Sequence, residues 1–424
     1  MRTSKIVASL ACVALLGSTM AACSSGSNSS EGDHVELMTT WTGDRLTELK
    51  NILAAYTKES GVQVQVISPG DQYETVMKTR MASRDMPDVF ETHGWSLERY
   101  KEYLTPLNDQ SWASNIDEAI KPVITDDSGN VYVAPLTMSI NTIVYNRTVF
   151  RNAGVDAAKI RTWDDFEDAC AKIKSKGVTP IFIGNKSGDV AQLAEAIPPT
   201  MLTNSSVKNN QAKALKDGTF DFTKYWTPIS QMVSKWNANG FFNVDLLTAD
   251  NDAGVKKLGQ GSAAMMFGGS NNITQARSYT PDADLGILSA PAAQQGGKNS
   301  LSMGEGMCFG VWKDSKVSDK AKALLTYLAQ PKIDSRIATV SGDVPALSNV
   351  KNDSDYVAKC LSETKKMFGD DLEYIPLFDR AYLPNGMWDD LTNSFTDIFT
   401  SPGAKGVDES VQVLARTYQQ KFSR

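Results

Sequence analysis

The chain has 424 residues and a formal net charge of −6, from 43 lysines and arginines against 49 aspartates and glutamates. This acidic balance argues against nucleic-acid binding, because proteins that bind nucleic acids need a basic surface. Hydrophobic residues make up 41% of the chain, which at this length is enough for a large core and for two or more domains.

The N-terminus has the pattern of an export signal (1–22). Two basic residues precede an apolar run at 6–16, and small residues lead up to Cys23. This order is typical of a secretory signal peptide, and the apolar run is too short to span a bilayer. Residues 20–23 (MAAC) resemble the bacterial lipobox, with Met in place of the usual Leu, which implies that Cys23 is acylated and anchors the mature protein. Ordinary secretion without an anchor is the alternative.

Residues 23–33 are rich in Ser, Gly and Asn and predict a lipid-anchored flexible tether. No later stretch approaches the roughly eighteen apolar residues of a membrane span, so we expect membrane contact through the lipid anchor only. The three remaining cysteines, Cys170, Cys308 and Cys360, are widely spaced and form no CxxC motif. They indicate neither a metal site nor a disulfide framework, and buried free thiols are favoured over a single disulfide.

The next segment alternates between strands and helices. Strands are predicted at 35–40, 62–67 and 87–90, and helices at 44–60 and 73–84. The first helix carries apolar residues at spacings of three and four, from Leu46 to Tyr56, and ends at Gly61. This order predicts a mostly parallel sheet in an α/β fold. Ligands of such sheets bind beyond the C-terminal ends of the strands, here at 40–45 and 91–95.

The rest of the chain continues the α/β pattern. Further strands are predicted at 131–134, 140–146, 180–184, 262–267, 285–288 and 307–312, and further helices at 163–174, 318–328, 386–399 and 408–422. Thr162 and Asp165 form a capping box at the start of the first of these helices. The aromatic-rich middle of the chain, 190–247, has a mainly helical pattern.

Residues 259–264 (GQGSAA) fit the GxGxxA pattern of dinucleotide binding. A helix is predicted before this motif and a strand after it, which is the reverse of the order that a dinucleotide site needs. The sequence has no GxSxG, HExxH or Walker motif. We therefore expect a protein that is not an enzyme and holds no metal or cofactor. A secreted glycosidase is the remaining enzyme alternative, because two carboxylates would suffice for its chemistry.

Five groups of residues, in order along the chain, resemble the motifs of one family. They are 81–90 (MASRDMPDVF), 131–135 with 144–147 (VYVAP and VYNR), 161–166 with 177–181 (RTWDDF and GVTPI), 259–265 (GQGSAAM) and 344–346 (VPA). In these the chain is similar to the family 1 extracellular solute-binding proteins, the class that contains the maltose-binding protein.

The resemblance implies a two-lobed α/β fold of the periplasmic-binding-protein type (type II). Its hinge would have three crossing segments, near 137–141, 268–271 and 328–331. The N-terminal lobe would comprise 34–138 plus 269–329, and the C-terminal lobe 139–268 plus 330–424. The resemblance also implies a monomer outside the cytoplasm that closes its lobes around an oligosaccharide and delivers it to the permease subunits of an ABC importer. A non-carbohydrate or phosphorylated solute is the alternative ligand.

Oligosaccharide sites combine flat apolar surfaces for the sugar rings with charged and amide side chains for the hydroxyls. Trp41, Asp44 and Arg45 follow the first predicted strand. The resemblance places Asp44 and Arg45 where the family has a sugar-contacting acid and base, with helix capping as the alternative role of Asp44. His93 and Trp95 follow the third predicted strand, in a loop that lines the cleft in this family.

The remaining candidates lie further along the chain. Ser139 belongs to the first crossing segment, and Asn271 stands where the family commonly has tryptophan. Glu305 lies between glycines that permit close approach of a ligand. Trp388 opens a C-terminal helix that, by the resemblance, presents it to the sugar, and Asp389 beside it is suited to accept hydrogen bonds from hydroxyls. Four other tryptophans are expected to pack in the core or on helix surfaces, namely Trp163, Trp226, Trp236 and Trp312.

Overall fold

The computed structural model describes residues 34–92, 100–118, 120–126, 128–351 and 356–423. The predicted signal peptide, Cys23, the tether, His93 and Trp95 lie outside the described residues, so what the sequence indicates for them remains a prediction.

The described residues form twelve strands. They are β1 (His34–Met38), β2 (Gln63–Ile67), β3 (Val89–Glu91), β4 (Val133–Pro135), β5 (Thr137–Asn146), β6 (Thr179–Phe182), β7 (Ala263–Gly269), β8 (Leu285–Leu288), β9 (Asn299–Glu305), β10 (Cys308–Val311), β11 (Val344–Pro345) and β12 (Leu372–Pro376).

The helices of the first half are α1 (Gly43–Ser60), α2 (Tyr73–Ser83), α3 (Lys121–Ile124), α4 (Arg147–Asn152), α5 (Trp163–Ser175), α6 (Leu193–Pro198), α7 (Ala212–Lys216), α8 (Phe222–Tyr225) and α9 (Thr227–Ala238). Those of the second half are α10 (Asn251–Gln260), α11 (Asn271–Tyr279), α12 (Ser318–Leu328), α13 (Pro331–Ser341), α14 (Tyr356–Phe368), α15 (Phe378–Tyr382), α16 (Met387–Thr400) and α17 (Ala404–Phe422).

Local sequence explains where the main helices begin and end. The helix α1 buries Leu53 and Tyr56 on its apolar face and ends at Gly61, whose φ of 76° is the left-handed conformation that glycine adopts without strain. The capping box predicted for α5 is confirmed, because the Asp165 amide donates to Thr162 Oγ1 and the Thr162 amide donates to Asp165 Oδ2. The helix α10 precedes the strand β7, as predicted for the GxGxxA segment, so that segment lacks the order of a dinucleotide site.

The first sheet has the strand order β2-β1-β3-β10-β4. The strands β1, β2 and β3 are parallel, which confirms the sequence prediction for this part of the chain. The strand β10 is antiparallel to both of its neighbours and lies between β3 and β4. This insertion comes from a distant part of the chain, and the local strand pattern could not place it. The sheet and its helices form the first lobe.

The second sheet is built around the long strand β5. Strands β7, β8 and β9 all pair antiparallel to β5, while β6 pairs parallel to β7 and β12 pairs parallel to β9. The short strand β11 also pairs with β5. This sheet and its helices form the second lobe, and the protein is therefore a two-lobed α/β molecule.

Three segments connect the two lobes, and they meet at one place. The Gly306 amide donates to the Thr137 carbonyl at 2.7 Å, and the Met307 amide donates to Thr137 Oγ1 at 2.8 Å. The Thr137 hydroxyl in turn donates to Asp343 Oδ2 at 3.2 Å. These four residues come from the start of β5, the β9–β10 connection and the α13–β11 connection. We call them the hinge junction, because any change in the angle between the lobes must pass through these segments.

The structure corrects two of the lobe boundaries expected from the sequence. The resemblance implies that the segment 269–329 belongs to the N-terminal lobe, but β8 and β9 pair in the second sheet. It also implies that the segment 330–424 belongs to the C-terminal lobe, but α13 packs on the first lobe, where Arg336 Nε donates to Glu48 Oε1 at 3.0 Å. The second and third crossings therefore lie at the hinge junction instead of near 268–271 and 328–331. A strand pattern shows where a strand lies in the chain and not which sheet it joins.

The core contains the predicted buried aromatics and thiols. Cys170, Cys308 and Cys360 are buried and free, as expected. Trp163, Trp226 and Trp236 are buried in the second lobe, and Trp312 is partly buried against the core of the first. Among the helices that the structure describes, none has both the length and the apolar character of a bilayer span. The residues that the structure describes contain no cluster of three or more His, Cys, Asp or Glu arranged for a metal ion.

Candidate functional site

Two adjoining pockets lie at the facing sides of the lobes. The first encloses about 280 Å³ and is lined by polar residues of both lobes, including Thr40, Trp41, Arg45, Glu91, Glu305 and Asp343. We call it the charged pocket. The second encloses about 490 Å³ on the second lobe and includes Asn141, Gln192, Leu377, Met387 and Trp388. We call it the tryptophan pocket. The two pockets adjoin each other, because Ser139, Asn271 and Arg380 line both.

Glu91 holds the first-lobe wall of the charged pocket in place. Its side chain is 3% exposed and lies at the C-terminal end of β3. One carboxylate oxygen accepts from Thr39 Oγ1 at 2.6 Å and from the Thr40 amide at 2.8 Å, and the other accepts from Thr40 Oγ1 at 2.9 Å. Charge-assisted bonds of this kind are stronger than neutral ones, so the chain that follows β1 has one fixed path. Trp41 on that path is buried.

An ion pair lies where the two pockets join. Arg380 Nη1 lies 3.1 Å from Glu305 Oε1, and the Glu305 side chain is 1% exposed while that of Arg380 is 28% exposed. A buried carboxylate needs such a partner, because an unpaired charge out of water is costly. Arg380 Nε also lies 4.0 Å from Asp379 Oδ1, and the Arg380 side chain lines both pockets.

Asp343 brings a titratable group from the hinge junction into the charged pocket. Burial raises the pKa of Asp343 to about 7, although hydrogen bonds from Thr137 and Ser341 and the charge of Arg45 each lower it. The pocket thus combines the carboxyl groups of Glu91, Glu305 and Asp343 with two arginines. Such a set can donate and accept hydrogen bonds around a ring of hydroxyl groups.

The tryptophan pocket has a different composition. Trp388 lies in the first turn of α16 and is half-buried against the core of the second lobe. Gly386 precedes the helix with a φ of 83°, the left-handed conformation that glycine adopts without strain, and the chain turns there into the helix that begins at Met387. Amide side chains from Asn141, Gln192 and Asn271 face the same space. The side-chain oxygen of Gln192 is buried and has no hydrogen-bond partner among the described residues, which leaves an acceptor for a bound molecule.

Six of the predicted site residues come together around the two pockets. They are Trp41, Arg45, Ser139, Asn271, Glu305 and Trp388. Asp44 instead lines a separate surface groove with Glu48 and Arg336, and the N-cap of α1 is Thr42. Asp389 is exposed on α16 and lines neither pocket. His93 and Trp95 lie outside the described residues.

The sequence did not single out Glu91, Asp343, Arg380 or Gln192. Glu91 had a usable signal, because it ends the third predicted strand, where ligands of parallel sheets bind. Arg380 and Asp343 carried no local signal, since only the crossing of the chain between the lobes brings them to the cleft. The pattern of the residues around Gln192 indicated helix and nothing more.

The two lobes, the three crossings and the polar cleft between them define a two-lobed solute-binding protein. Residues 42–334 match the model of the family described as bacterial extracellular solute-binding protein. The chain belongs to that family, which places its function outside the cytoplasm.

Several similar proteins agree with this. The chain is 31% identical over 346 residues, 80% of this chain and 79% of the relative, to the melibiose/raffinose/stachyose-binding protein MelE of Bacillus subtilis. It is similar to a solved structure of the binding protein MsmE of Bacillus subtilis in an open conformation, with a TM-score of 0.83 and 28% identity over 93% of this chain and 98% of that one. A Bacillus licheniformis sugar transporter solved with stachyose has a TM-score of 0.78 and 29% identity, covering 91% and 99% of the two chains. All three are described as binding or transport proteins.

Proposed function

We propose that this protein captures an oligosaccharide of the raffinose series between its lobes and delivers it to the permease subunits of an ABC importer, acting as a monomer without catalysis. Melibiose, raffinose and stachyose share a terminal galactosyl unit, and the names of MelE and of the stachyose complex support this class of ligand. The lobes would close about the three crossing segments once the sugar is bound.

The observation that carries the proposal is the pairing of two unlike pockets in one cleft. A pyranose ring has an apolar C–H face, which stacks on an aromatic ring such as Trp388, and a rim of hydroxyls, which bond to charged and amide groups. The charged pocket offers such groups, and Ser139, Asn271 and Arg380 connect it to the tryptophan pocket. A chain of two or more sugar rings matches this arrangement.

A phosphorylated solute fits the cleft less well. Phosphate sites in proteins concentrate basic residues, often with bidentate arginines. Here Arg380 already pairs with Glu305, and the carboxyl groups of Glu91 and Asp343 lie in the same pocket. The carboxylates of Glu91 and Glu305 would repel a phosphate dianion, so a neutral sugar is favoured.

Calorimetric titration with melibiose, raffinose and stachyose tests the ligand class, with xylo-oligosaccharides and glycerol 3-phosphate as comparisons. We expect binding of the galactosyl sugars and recovery of each sugar uncleaved by chromatography. A bound sugar at about a hundred times its Kd should add about 2.7 kcal/mol to the free energy of unfolding. Preference for glycerol 3-phosphate, or cleavage of a sugar, would contradict the proposal.

We further propose that Cys23 carries the lipid that holds the protein at the membrane, on the basis of the lipobox-like residues 20–23 and the tether after them. Cys23→Ala should move the protein from the membrane fraction to the medium or periplasm and leave sugar affinity unchanged. Cell fractionation and calorimetry of the released protein measure the two effects. If the variant stays with the membrane after mild washing, the anchor lies elsewhere.

A further inference from the structure

Part of the lining of the charged pocket is formed by the hinge itself. Of the four residues of the hinge junction, Gly306 and Met307 from the second crossing and Asp343 from the third line this pocket. Ser139 of β5, which belongs to the first crossing, lines it as well. A molecule in the charged pocket is therefore in contact with the segments that must change when the lobes close. The fourth residue of the junction, Thr137, is fully buried and lines neither pocket.

The hydroxyl group of Thr137 joins the three crossing segments. Its oxygen accepts from the Met307 amide at 2.8 Å, and its proton is donated to Asp343 Oδ2 at 3.2 Å. The bond from the amide takes up a lone pair of the hydroxyl, so the single proton remains for the carboxyl group. Both bonds matter, because a buried polar group without a partner is costly. A residue that does not line the pocket thus holds one of the carboxyl groups that do.

The glycine at position 306 makes room for this arrangement. A Cβ atom at Gly306 would lie 2.3 Å from Thr137 Oγ1 and 2.8 Å from Asp343 Oδ2, closer than nonbonded atoms approach. The Gly306 amide also donates to the Thr137 carbonyl at 2.7 Å, which keeps the second crossing against the first. Because Gly306 has no side chain, its backbone lies directly beside the hydroxyl and the carboxyl group. Any other residue there would push the two groups apart.

We propose that Thr137 is a positioning residue for ligand binding, whose hydroxyl holds Asp343 in the wall of the charged pocket and ties this carboxyl group to the hinge. This inference rests on the proposed function, because it assigns Asp343 to the hydroxyl groups of the sugar. A sugar that bonds to Asp343 is then connected through Thr137 to all three crossings. Without the threonine hydroxyl, Asp343 must be ordered when the sugar binds, and this ordering costs affinity.

The variants Thr137→Val and Thr137→Ser test this. Valine keeps the branched shape of the side chain and removes the hydroxyl, so raffinose affinity measured by calorimetry should fall on the order of tenfold. Serine keeps the hydroxyl and should bind raffinose within about twofold of the natural protein. Unchanged affinity in Thr137→Val, or an equal loss in both variants, would overturn the role of the hydroxyl.

A matched control is Thr142→Val on the same strand. Thr142 is also buried in β5, and its hydroxyl donates to the Leu288 carbonyl at 2.6 Å within the second lobe. This variant loses a buried hydrogen bond away from the hinge, so raffinose affinity should stay within about twofold even where the melting temperature falls. An equal loss of affinity in Thr142→Val and Thr137→Val would mean that the effect comes from stability alone, which would contradict the proposal.

A double-mutant cycle shows whether Thr137 acts through Asp343. In Asp343→Ala the carboxyl group is absent, so the addition of Thr137→Val should change raffinose affinity by less than about twofold. The same tenfold loss in both backgrounds would overturn the proposal, because independent effects add. Should Thr137→Val not fold, Gly306→Ala replaces it in the cycle, since its Cβ atom forces the same two groups apart.

A measurement without ligand separates this inference from the proposed function. Hydrogen exchange of the amides at 342–346 should be faster in Thr137→Val than in the natural protein, Thr137→Ser and Thr142→Val, because the third crossing loses a bond to the first. Identical exchange in all four proteins would overturn the hold of Thr137 on this crossing. If no sugar binds but the exchange differs as expected, the proposed function fails and the link between Thr137 and Asp343 stands.

Discussion

The two walls of the cleft are built in different ways. On the first lobe, Glu91 accepts three hydrogen bonds from Thr39 and Thr40, which fix the chain at a strand end. On the second lobe, the half-buried Trp388 packs at the start of a helix, with amide side chains around it. The first wall is held by hydrogen bonds at a strand end, whereas the second has aromatic area suited to stacking. The difference suggests that affinity depends most on the second lobe and selectivity most on the first.

The largest effect on sugar affinity is expected from Trp388→Ala. Truncation of a buried aromatic anchor costs more than about 2 kcal/mol of binding, so raffinose affinity should fall on the order of thirtyfold or more. Because the ring is half-exposed in the pocket, the melting temperature of the free protein should change little. The control Trp236→Ala, a fully buried tryptophan, should instead cost about 3–5 kcal/mol of folding stability. Strong destabilisation by Trp388→Ala with intact affinity would make this residue part of the core.

A smaller effect is expected from Glu91→Gln on the opposite wall. In this variant the NH₂ group can still donate to the Thr40 hydroxyl, but the negative charge that strengthens the bonds from Thr39 and the Thr40 amide is lost, and loss of a charged hydrogen bond costs about 1.5–3 kcal/mol. Raffinose affinity should fall about tenfold, together with discrimination between raffinose and xylo-oligosaccharides. Asp44→Asn is the matched control, because Asp44 lies just after the segment that Glu91 holds but outside both pockets, and it should leave affinity unchanged. A large loss in Asp44→Asn would mean that lobe closure brings Asp44 to the ligand.

The smallest predicted effect is a change in melting temperature on substitution of Asp343, which lies at the hinge junction between the two walls of the cleft. Its pKa is raised from the ordinary 3.8 to about 7 in the folded protein, so the folded state holds a proton that the unfolded chain releases. Stability is therefore lost as the pH rises from about 4 through about 7, and the loss is complete above that range. Asp343→Asn should raise the melting temperature at about pH 8 by about a degree or two and leave it unchanged at about pH 4. Thermal melts at both pH values measure this, and a gain at low pH only would contradict the sign.

The sequence was sufficient for local structure and insufficient for long-range placement. The helix Ser318–Leu328 has the bounds that the apolar pattern predicts, and the capping box at Thr162 is where the motif lies. The same reasoning could not pair β10 with β3, because the residue pattern of a strand does not show which other strand it pairs with. Within the site, residues at strand ends and helix starts, such as Trp41 and Trp388, could be found. Arg380 could not, because the two amides just before it bond to Glu195, which is far away in the chain.

The insertion of β10 into the first sheet has a consequence for biosynthesis. The strands β3 and β4 are made early, but the strand that belongs between them follows only after the whole of β5 to β9. During export the edges of β3 and β4 are therefore unpaired, and exposed strand edges promote aggregation. Pairing over such a long separation is also slow, because the intervening loop must be closed first. A fragment that ends at residue 306 would contain both early strands without their partner, so the first lobe completes its fold late in the emergence of the chain.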